Sequence, residues 1–355
     1  MRPKSRPAHR AFGAAILAVG LIALAVALGT AGHQAQSQPV AATVDGAEAP
    51  AAAGAAGSSA GEETGAMTTQ PAPGKYRELT PEEERVIVHK GTEGPFTGKY
   101  TDFFGEGVYT CRRCGAMLYR SQDKFHSDCG WPAFDDELPG AVRRLPDADG
   151  VRTEIECTNC GAHLGHVFTG EGLTAKDTRH CVNSISLQFI PAAEVRYGRA
   201  IFAGGCFWGV EYWMQKQPGV LKTTVGYTGG TTDNPTYEQI HSRDTGHAEA
   251  VEVLFDPVRV SFEQLAKLFF EIHDPTQLNR QGPDVGTPYR SAVFTTDEEQ
   301  RQVAEKLIAE LKGRGLNVVT QVVPAGRFWP AEAYHQSYYA DKGAEPPCHV
   351  RQKLW

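Results

Sequence analysis

The cysteines of this chain fall into groups that suggest two kinds of chemistry. Of the eight cysteines, four form two matching clips, each Cys-x-x-Cys followed by Gly-Ala. Four thiolates at paired spacing suit one tetrahedral zinc ion. Two redox motifs or two structural disulfides would have the same spacing, but the shared Gly-Ala favours a single structural zinc site. The predicted zinc ligands are Cys111, Cys114, Cys157 and Cys160.

The other cysteines lie singly, and one of them has the neighbours of a reactive thiol. Cys181 lies between Arg179 and Asn183, and on a strand these alternate residues would share one face. A guanidinium beside a thiol favours the nucleophilic thiolate. His163 and His166 could supply a proton, although each alone would more often be a core residue or a metal-type ligand. We predict that Cys181 is the nucleophile of a site in the first half of the chain.

A second candidate nucleophile, Cys206, follows two glycines at a predicted strand-to-helix turn. Backbone N–H groups and the helix dipole at such a turn stabilise a thiolate. Phe207 and Trp208 supply an apolar wall, although a buried structural cysteine would have the same neighbours. Glu249 begins a buried strand, where apolar surroundings raise the pKa of a carboxyl so that it holds a proton at neutral pH. These residues predict a site in the second half of the chain with Cys206 as the nucleophilic thiol and Glu249 as the proton-holding acid.

Two domains of α+β class are predicted to position these groups. Residues 76–195 consist mainly of short strands and turns after an opening helix, which predicts a β-rich domain. In residues 196–355 strands alternate with helices, including helices predicted over 261–273 and 296–312, the second opened by a capping box that starts at Thr296. This alternation predicts a sandwich of the ferredoxin-like (split βαβ) type.

The N-terminal region predicts export. Four basic residues in the first ten precede an uncharged apolar run over 11–29, close to the length of about 17–25 residues that spans a bilayer. Residues 1–30 are therefore a signal peptide or a membrane anchor; a buried core helix fits less well because the run has no polar face. Residues 31–75, rich in small residues and proline, predict a flexible linker. The remainder is expected to be periplasmic, or anchored and facing the extracytoplasmic side.

Composition limits the classes of partner. Charged residues make up 22% and hydrophobic residues 41% of the chain, which is typical of globular domains. The net charge is -7, and no basic block occurs beyond the N-terminus, so a nucleic-acid partner is not expected. Membrane contact is expected only through the N-terminal segment.

Three motifs of the first half, together with the zinc clips, resemble B-type methionine sulfoxide reductases over about residues 76–190. They are Lys-Phe-His-Ser-Asp-Cys-Gly-Trp-Pro-Ala-Phe from residue 124, His-Leu-Gly-His-Val-Phe from 163 and Arg-His-Cys-Val-Asn-Ser from 179. The resemblance implies that Cys181 attacks the sulfoxide and that Cys129 is the resolving thiol. It further implies that Trp131 walls the methyl pocket, His163 and His166 bind and protonate the oxygen, and Arg179 and Asn183 organise the site. His126, Asp128 and His180 depart from the family pattern, and the first two change the loop near Cys129.

The second half closely resembles A-type methionine sulfoxide reductases over about residues 198–340. The resemblance rests on Gly-Cys-Phe-Trp, Asn-Pro-Thr-Tyr-Glu, Gly-His-Ala-Glu-Ala and the stretches 273–287 and 289–291. It implies that Cys206 attacks the sulfur, Glu249 protonates the oxygen and Cys348 resolves. It further implies that Tyr237 and Tyr289 bind the oxygen, Phe207 and Trp208 cage the methyl group, and Asp284 organises the loop. Pro288 replaces the usual glutamine, and two prolines before Cys348 stiffen its approach.

Together the resemblances imply a bifunctional enzyme that reduces methionine sulfoxide in proteins, with free methionine sulfoxide as a further candidate substrate. The sulfur is chiral, so one enzyme is needed for each epimer: R for the B-type half and S for the A-type half. Each sulfenic acid would become a disulfide, which a separate thioredoxin-like dithiol donor reduces. No organic cofactor is expected. Two rival hypotheses are an exported zinc module that exchanges disulfides through its clips, and a thiol peroxidase, which would not need Trp131, Phe207 and Trp208.

Overall fold

The computed structural model describes residues 76–242 and 244–355. The predicted signal or anchor and the predicted linker lie outside the described residues. Within the described ranges, no helix combines the length and the apolar character needed to cross a membrane.

The first domain is built from antiparallel strands. A three-stranded sheet has the order β2-β1-β9, and a six-stranded sheet has the order β3-β4-β8-β7-β6-β5. The elements are α1 (Pro81–Ile87), β1 (Gly107–Cys111), β2 (Met117–Arg120), β3 (Lys124–Phe125), β4 (Ala133–Phe134), β5 (Val142–Pro146), β6 (Thr153–Cys157), β7 (His163–Thr169), β8 (Thr178–Val182) and β9 (Leu187–Pro191). The six-stranded sheet places β8 between β4 and β7, and these three strands carry the first candidate site.

The second domain is a six-stranded mixed sheet of order β16-β15-β10-β12-β11-β17, in which only β15 and β16 run parallel. Its elements are β10 (Gly198–Gly204), α2 (Phe207–Gln215), β11 (Val220–Thr228), α3 (Tyr237–Ser242), β12 (Ala248–Phe255), α4 (Phe262–Glu271), β13 (Arg280–Gln281), β14 (Asp284–Val285), β15 (Ser291–Thr295), α5 (Glu298–Gly313), β16 (Gln321–Pro324), β17 (Trp329–Pro330) and α6 (Tyr338–Lys342). Strands β10 and β12 are buried at its centre and carry the second candidate site.

One predicted helix start is wrong by one residue. The predicted capping box at Thr296 does not form, because Asp297 is the N-cap of α5 and its side chain accepts from the Gln300 N–H at 2.8 Å. The Gln300 side chain in turn accepts from the Thr296 N–H at 3.2 Å. The side-chain cap therefore lies one position later than the Thr-x-x-Glu pattern predicts, and Gln300 bonds to the N–H of the residue before the N-cap.

The two domains are held in contact beside the cysteine clips. Asp256, at the end of β12, is fully buried and accepts a hydrogen bond from the Met117 N–H of the first domain at 2.7 Å. The Arg259 guanidinium donates to the Pro139 carbonyl at 2.9 Å. Leu221 of the second domain packs into the core of the first. Residues of the two domains are therefore in direct contact at these positions.

Candidate active sites and metal centre

The two cysteine clips form one cluster. Both clips turn in the same way, because the Cys111 N–H bonds to the Ala116 carbonyl and the Cys157 N–H to the Ala162 carbonyl. The four sulfurs all lie within 4.8 Å of one another, and Sγ–Sγ distances of 3.7 Å join Cys111 to Cys160 and Cys114 to Cys157. A Zn–S bond of about 2.3 Å gives a tetrahedral edge of about 3.8 Å. The donor set and its spacing are therefore compatible with zinc.

The first candidate nucleophile lies in the middle of the six-stranded sheet. Cys181 on β8 is opposite His166 on β7 and opposite Ala133 on β4. Gly165 has a φ of +148°, and a Cβ there would lie 2.1 Å from the Cys181 carbonyl oxygen. Only glycine permits this close approach of the two strands. The local sequence thus brings a histidine strand directly against the thiol.

The predicted resolving thiol lies beside this nucleophile. Cys129 Sγ is 3.5 Å from Cys181 Sγ, and the Ser127 hydroxyl donates to Cys129 at 3.1 Å. The hydrogen bond with Cys181 is the main influence that lowers the pKa of Cys129 to about 5. The same bond, followed by burial, raises the pKa of Cys181, while Arg179 lowers it by less. The predicted effect of Arg179 is therefore outweighed, because adjacent thiols share one proton and their second ionisation is opposed.

Both predicted histidines are held by carboxylates that the sequence analysis missed. His163 Nδ1 lies 2.7 Å from Glu154 Oε1, and His166 Nε2 forms a short contact with Asp147. The two imidazole rings meet edge to face with centroids 5.6 Å apart. Burial is the main cause that lowers the pKa of His163, whose Nε2 is buried without a partner. An imidazole oriented through one nitrogen leaves the other nitrogen for a substrate oxygen.

Asn183 directly follows β8 in extended conformation, and its N–H donates to the Leu164 carbonyl of β7 at 2.7 Å, so its shared face with Cys181 stays a prediction. Strand β8 ends at Val182, and Asn183 precedes a single 3-10 turn over Ser184–Ser186. Its side chain accepts from the Glu93 N–H at 3.0 Å and donates to the Leu164 carbonyl at 3.2 Å. Trp131 Nε1 donates to the Glu93 carbonyl at 3.1 Å. Asn183 and Trp131 are therefore connected through a segment around Glu93 that the sequence analysis missed.

Arg179, His180 and His126 each contact a residue outside the pair of thiols. Arg179 forms a bidentate ion pair with Glu171, with both N–O distances 2.7 Å. His180 points to the other face of β8, is fully buried, and lies 3.2 Å from the Tyr119 hydroxyl. The His126 ring packs 4.1 Å from that of Phe104. The departure at His180 is therefore a core substitution outside the site.

The second candidate nucleophile lies at a helix start, as predicted. Cys206 is the N-cap residue of α2, directly after β10. Glu249, on the neighbouring strand β12, accepts from the Phe207 N–H at 2.9 Å. Its other oxygen lies 3.0 Å from His241 Nε2, a contact that the sequence analysis missed. The thiol and the buried carboxyl are thus joined through the first residue of the helix.

The pKa of Glu249 is shifted as expected, whereas the net shift of the pKa of Cys206 is not. Burial is the main cause that raises the pKa of Glu249, as predicted, and the contact with His241 lowers it by less. The pKa of Cys206 is raised, first by burial and then by the charge of Glu249, while the Trp208 N–H lowers it. The N–H at the helix start therefore lowers the pKa of the free thiol as predicted, but desolvation is larger and the net shift is upward.

Aromatic rings surround this pair. The Trp208 ring stacks on Tyr338 at 3.7 Å with an interplanar angle of 3°, and its Nε1 donates to His335 at 3.1 Å. Tyr237 and Tyr289 both pack against the His241 ring, with centroids 4.4 and 5.4 Å away. Phe207 is fully buried. The predicted cage and tyrosine residues are therefore brought to one place, together with histidines that the sequence analysis missed.

Asp284 and Cys348, two further predicted site residues, lie on segments that follow β12 in the chain. Asp284 pairs with Gln281 in the short β13–β14 hairpin, and its charge is among the causes that raise the pKa of Cys206, after burial and the charge of Glu249. Cys348 Sγ lies 3.2 Å from Nδ1 of its neighbour His349. Pro288 lies in a 3-10 turn over Thr287–Tyr289. The residue that follows Cys348 thus gives its thiol a histidine partner.

Comparison with known proteins decides the family. Residues 198–354 match the family described as peptide methionine sulfoxide reductase, and residues 79–191 match the SelR domain. The peptide methionine sulfoxide reductase MsrA of Nocardia farcinica is 51% identical over 160 residues, which are 44% of this chain and 92% of that protein. The chain belongs to the peptide methionine sulfoxide reductase family.

Two further proteins are similar to this chain. The peptide methionine sulfoxide reductase MsrA of Nautilia profundicola is 53% identical over 150 residues, 42% of this chain and 87% of that protein. The solved methionine sulfoxide reductase A of Corynebacterium diphtheriae is 36% identical and covers 44% of this chain and 84% of that one, with a TM-score of 0.39. The SelR match ahead of the MsrA-type match confirms the predicted order of a B-type and an A-type reductase domain. The chain is therefore a methionine sulfoxide reductase in both domains.

Proposed function

We propose that the two domains reduce opposite epimers of methionine sulfoxide, the first domain R and the second S. The observation that supports this division is the presence of two separate thiol sites, each with its own proton-holding group. Cys181 lies beside a histidine strand and Cys206 beside a buried carboxyl. A chiral sulfoxide presents its oxygen on opposite sides in the two epimers, so one rigid site does not serve both.

In the first domain, Cys181 Sγ as thiolate forms a bond to the sulfoxide sulfur, while His163 and His166 hold the sulfoxide oxygen and protonate it until it leaves as water. A water molecule then attacks Cys181 Sγ and breaks its bond to the substrate sulfur, so that methionine departs and Cys181 carries a sulfenic acid. The carboxylate partners of both histidines support this role, because they fix the ring orientations. Trp131 packs on the substrate methyl group. Arg179 and Asn183 hold neighbouring segments in place through Glu171 and the Glu93 segment.

The resolving step of the first domain uses Cys129. Its sulfur attacks the Cys181 sulfur, the S–O bond breaks and water leaves. The Sγ–Sγ distance of 3.5 Å supports this step, because the two sulfurs need to approach by only about 1.5 Å to reach a disulfide length of about 2.05 Å.

In the second domain, Cys206 attacks the sulfoxide and Glu249 donates the proton to its oxygen. The raised pKa of Glu249, caused by burial, supports a carboxyl that is protonated before the substrate binds. Tyr237 and Tyr289 donate hydrogen bonds to the oxygen, Phe207 and Trp208 enclose the methyl group, and Asp284 organises the loop beside them. Cys348 then resolves the sulfenic acid.

We also propose that the four-cysteine cluster binds one structural zinc ion. Cys111, Cys114, Cys157 and Cys160 would hold it, and it would join the turns that follow β1 and β6. The supporting observation is the Sγ–Sγ spacing of 3.7 Å, close to the edge of a zinc–thiolate tetrahedron. Zinc held by four thiolates has no open position, so it takes no part in the reduction.

The second domain is proposed to be of ferredoxin-like type. The order of elements β10-α2-β11-β12-α4-β15 supports this, because the corresponding strands lie side by side as β15-β10-β12-β11 with all pairs antiparallel. This is the arrangement of two interleaved βαβ units.

Each catalytic disulfide must be returned to thiols by an external dithiol. We propose a thioredoxin-like protein as donor, with oxidised exported proteins as the substrates. The basic and apolar segment within residues 1–30 supports export, to the periplasm or to the outer side of a membrane through a retained anchor. Reduction of free methionine sulfoxide is a further expected activity.

The full-length chain with dithiothreitol and epimerically pure peptidyl sulfoxides tests the proposal. We expect methionine from both epimers and far slower consumption of hydrogen peroxide at equal concentration. Reduction of neither epimer, or faster turnover of peroxide, would contradict the proposal. Labelling of the clip thiols during turnover separates it from a disulfide-exchange module, because clips that bind zinc do not cycle.

A further inference from the structure

His349 is a buried imidazole in contact with the proposed resolving thiol. Its side chain is 1% exposed, and its Nδ1 lies 3.2 Å from Cys348 Sγ. Its other nitrogen, Nε2, lies 2.9 Å from the Gly204 carbonyl oxygen at the end of β10. Both ring nitrogens are thus occupied, one by a backbone oxygen and one by a thiol.

These two contacts fix the tautomer of His349. A carbonyl oxygen only accepts hydrogen bonds, so Nε2 must carry the proton that it donates to Gly204. In a neutral imidazole, Nδ1 is then an acceptor and faces the Cys348 S–H. Burial is the main cause that lowers the pKa of His349, which keeps the ring neutral near pH 7. The thiol proton of Cys348 therefore has an acceptor aligned with it.

Packing places the same ring against the nucleophile. A Cβ on Gly209, in the first turn of α2, would lie 2.2 Å from His349 Nδ1. A Cβ on Gly205, the residue before Cys206, would lie 3.6 Å from His349 Cε1. The C-terminal segment is therefore seated on the helix that begins at the reactive cysteine, and it carries Cys348 with it.

The two domains differ in how their resolving thiols are prepared. The pKa of Cys129 is lowered to about 5, mainly by its hydrogen bond with Cys181. The pKa of Cys348 is raised by burial and by the charge of Asp284. A thiol with a raised pKa is almost wholly protonated at neutral pH and attacks slowly unless a base removes its proton. Cys348 therefore needs such a base.

We propose that His349 is the general base of the resolving step in the second domain, which rests on the proposed function of Cys348. Cys348 Sγ forms a bond to Cys206 Sγ while the S–O bond of the sulfenic acid breaks. The Cys348 proton moves to His349 Nδ1 and then to the departing hydroxide, which leaves as water. No further oxidant or reductant takes part in this step.

The variant His349→Gln distinguishes a general base from a side chain that only anchors the C-terminal segment through Gly204. Its side-chain N–H can still donate to the Gly204 carbonyl, but the amide cannot take up a proton. The full-length chain is given one equivalent of S-epimer sulfoxide without reductant. Released methionine reports the first step, and alkylation with mass mapping of the Cys206–Cys348 disulfide reports the second. We expect unchanged methionine release, and disulfide closure slowed by about 10²-fold or more at pH 7.

The pH dependence supplies the readout that a structural role would not change. The titratable groups that act on or contact His349 are Cys348, Asp284 of the β13–β14 hairpin, and His273 after α4. In the variant, closure should accelerate about tenfold per pH unit as Cys348 ionises unaided, whereas the wild-type rate stays nearly constant from pH 7 to 8.5.

Several results would overturn the inference. One is disulfide closure at the wild-type rate in His349→Gln. A second is closure in the variant that is slowed by the same factor at every pH. A third is a closure rate of the wild-type chain that itself rises tenfold per pH unit. The last measurement needs no variant, so it decides even if His349→Gln fails to fold. Absence of methionine release from the wild-type chain would instead reject the proposed function, and the inference with it.

Discussion

His241 Nε2 lies 3.0 Å from Glu249 Oε1, and this contact connects the proposed acid of the second domain to solvent. Glu249 is 2% exposed and His241 is 23% exposed. Glu249 also accepts from the Phe207 N–H, so both of its oxygens are held. The protonation of Glu249 is therefore set by burial, which raises its pKa, against His241, which lowers it.

The variant His241→Phe should move the alkaline limit of S-epimer reduction to higher pH. A general acid works while it is protonated, so activity falls as pH rises through its pKa. Loss of the imidazole removes an influence that lowers the pKa of Glu249, so the alkaline limb should move to higher pH. The measurement is kcat/KM against pH, with R-epimer reduction by the same protein as internal control. An unchanged or lowered limb would show that His241 does not act on Glu249.

The variant Cys129→Ala should stop the first domain after one turnover. Cys129 lies 3.5 Å from Cys181, so its loss removes the nearest thiol that can condense with the sulfenic acid. With a thioredoxin-like donor, one equivalent of R-epimer product per chain is expected, and dimedone should label Cys181. Continued turnover with that donor would mean that another thiol resolves.

The variant Glu154→Gln should slow R-epimer reduction by about tenfold or more, because His163 loses the carboxylate that orients it. Glu156→Gln is the matched control. Glu156 lies two residues away on β6 and pairs with Lys90 and Arg143 at 2.9 and 2.6 Å. Comparison of kcat for the two variants checks the role of His163. An equal loss in both would indicate a general effect of charge at this sheet.

Removal of zinc should unfold the first domain and spare the second. A four-thiolate zinc site contributes about 10 kcal/mol or more to the folding of small domains. The variant Cys157→Ser removes one ligand from the cluster around β1 and β6. We expect loss of bound zinc, a lower Tm and loss of R-epimer reduction, with S-epimer reduction kept at roughly its wild-type rate. Full R-epimer activity in a zinc-free protein would contradict a structural role for the metal.

Site residues whose positions depend on neighbours along the chain could be predicted. The spacing of the cysteines indicates the two clips. The glycines before an apolar helix indicate that Cys206 lies at a helix start. The start of α5 was missed by one residue because Thr296 and Asp297 are both good caps. Only the side-chain contacts with Gln300 decide between them.

Partners from distant strands could not be predicted. Glu154, Asp147 and His241 reach the site only after the strands have paired, and no local pattern distinguishes them from surface residues. The raised pKa of Cys206 was missed because burial, which depends on the whole fold, outweighs the helix terminus.

Cys181 and Cys206 are proposed to serve separate epimers. The most direct test measures the reduction of epimerically pure R and S peptidyl sulfoxides by the variants Cys181→Ser and Cys206→Ser. We expect the first variant to lose only R-epimer reduction and the second to lose only S-epimer reduction. Loss of both activities through either single substitution would contradict this proposal.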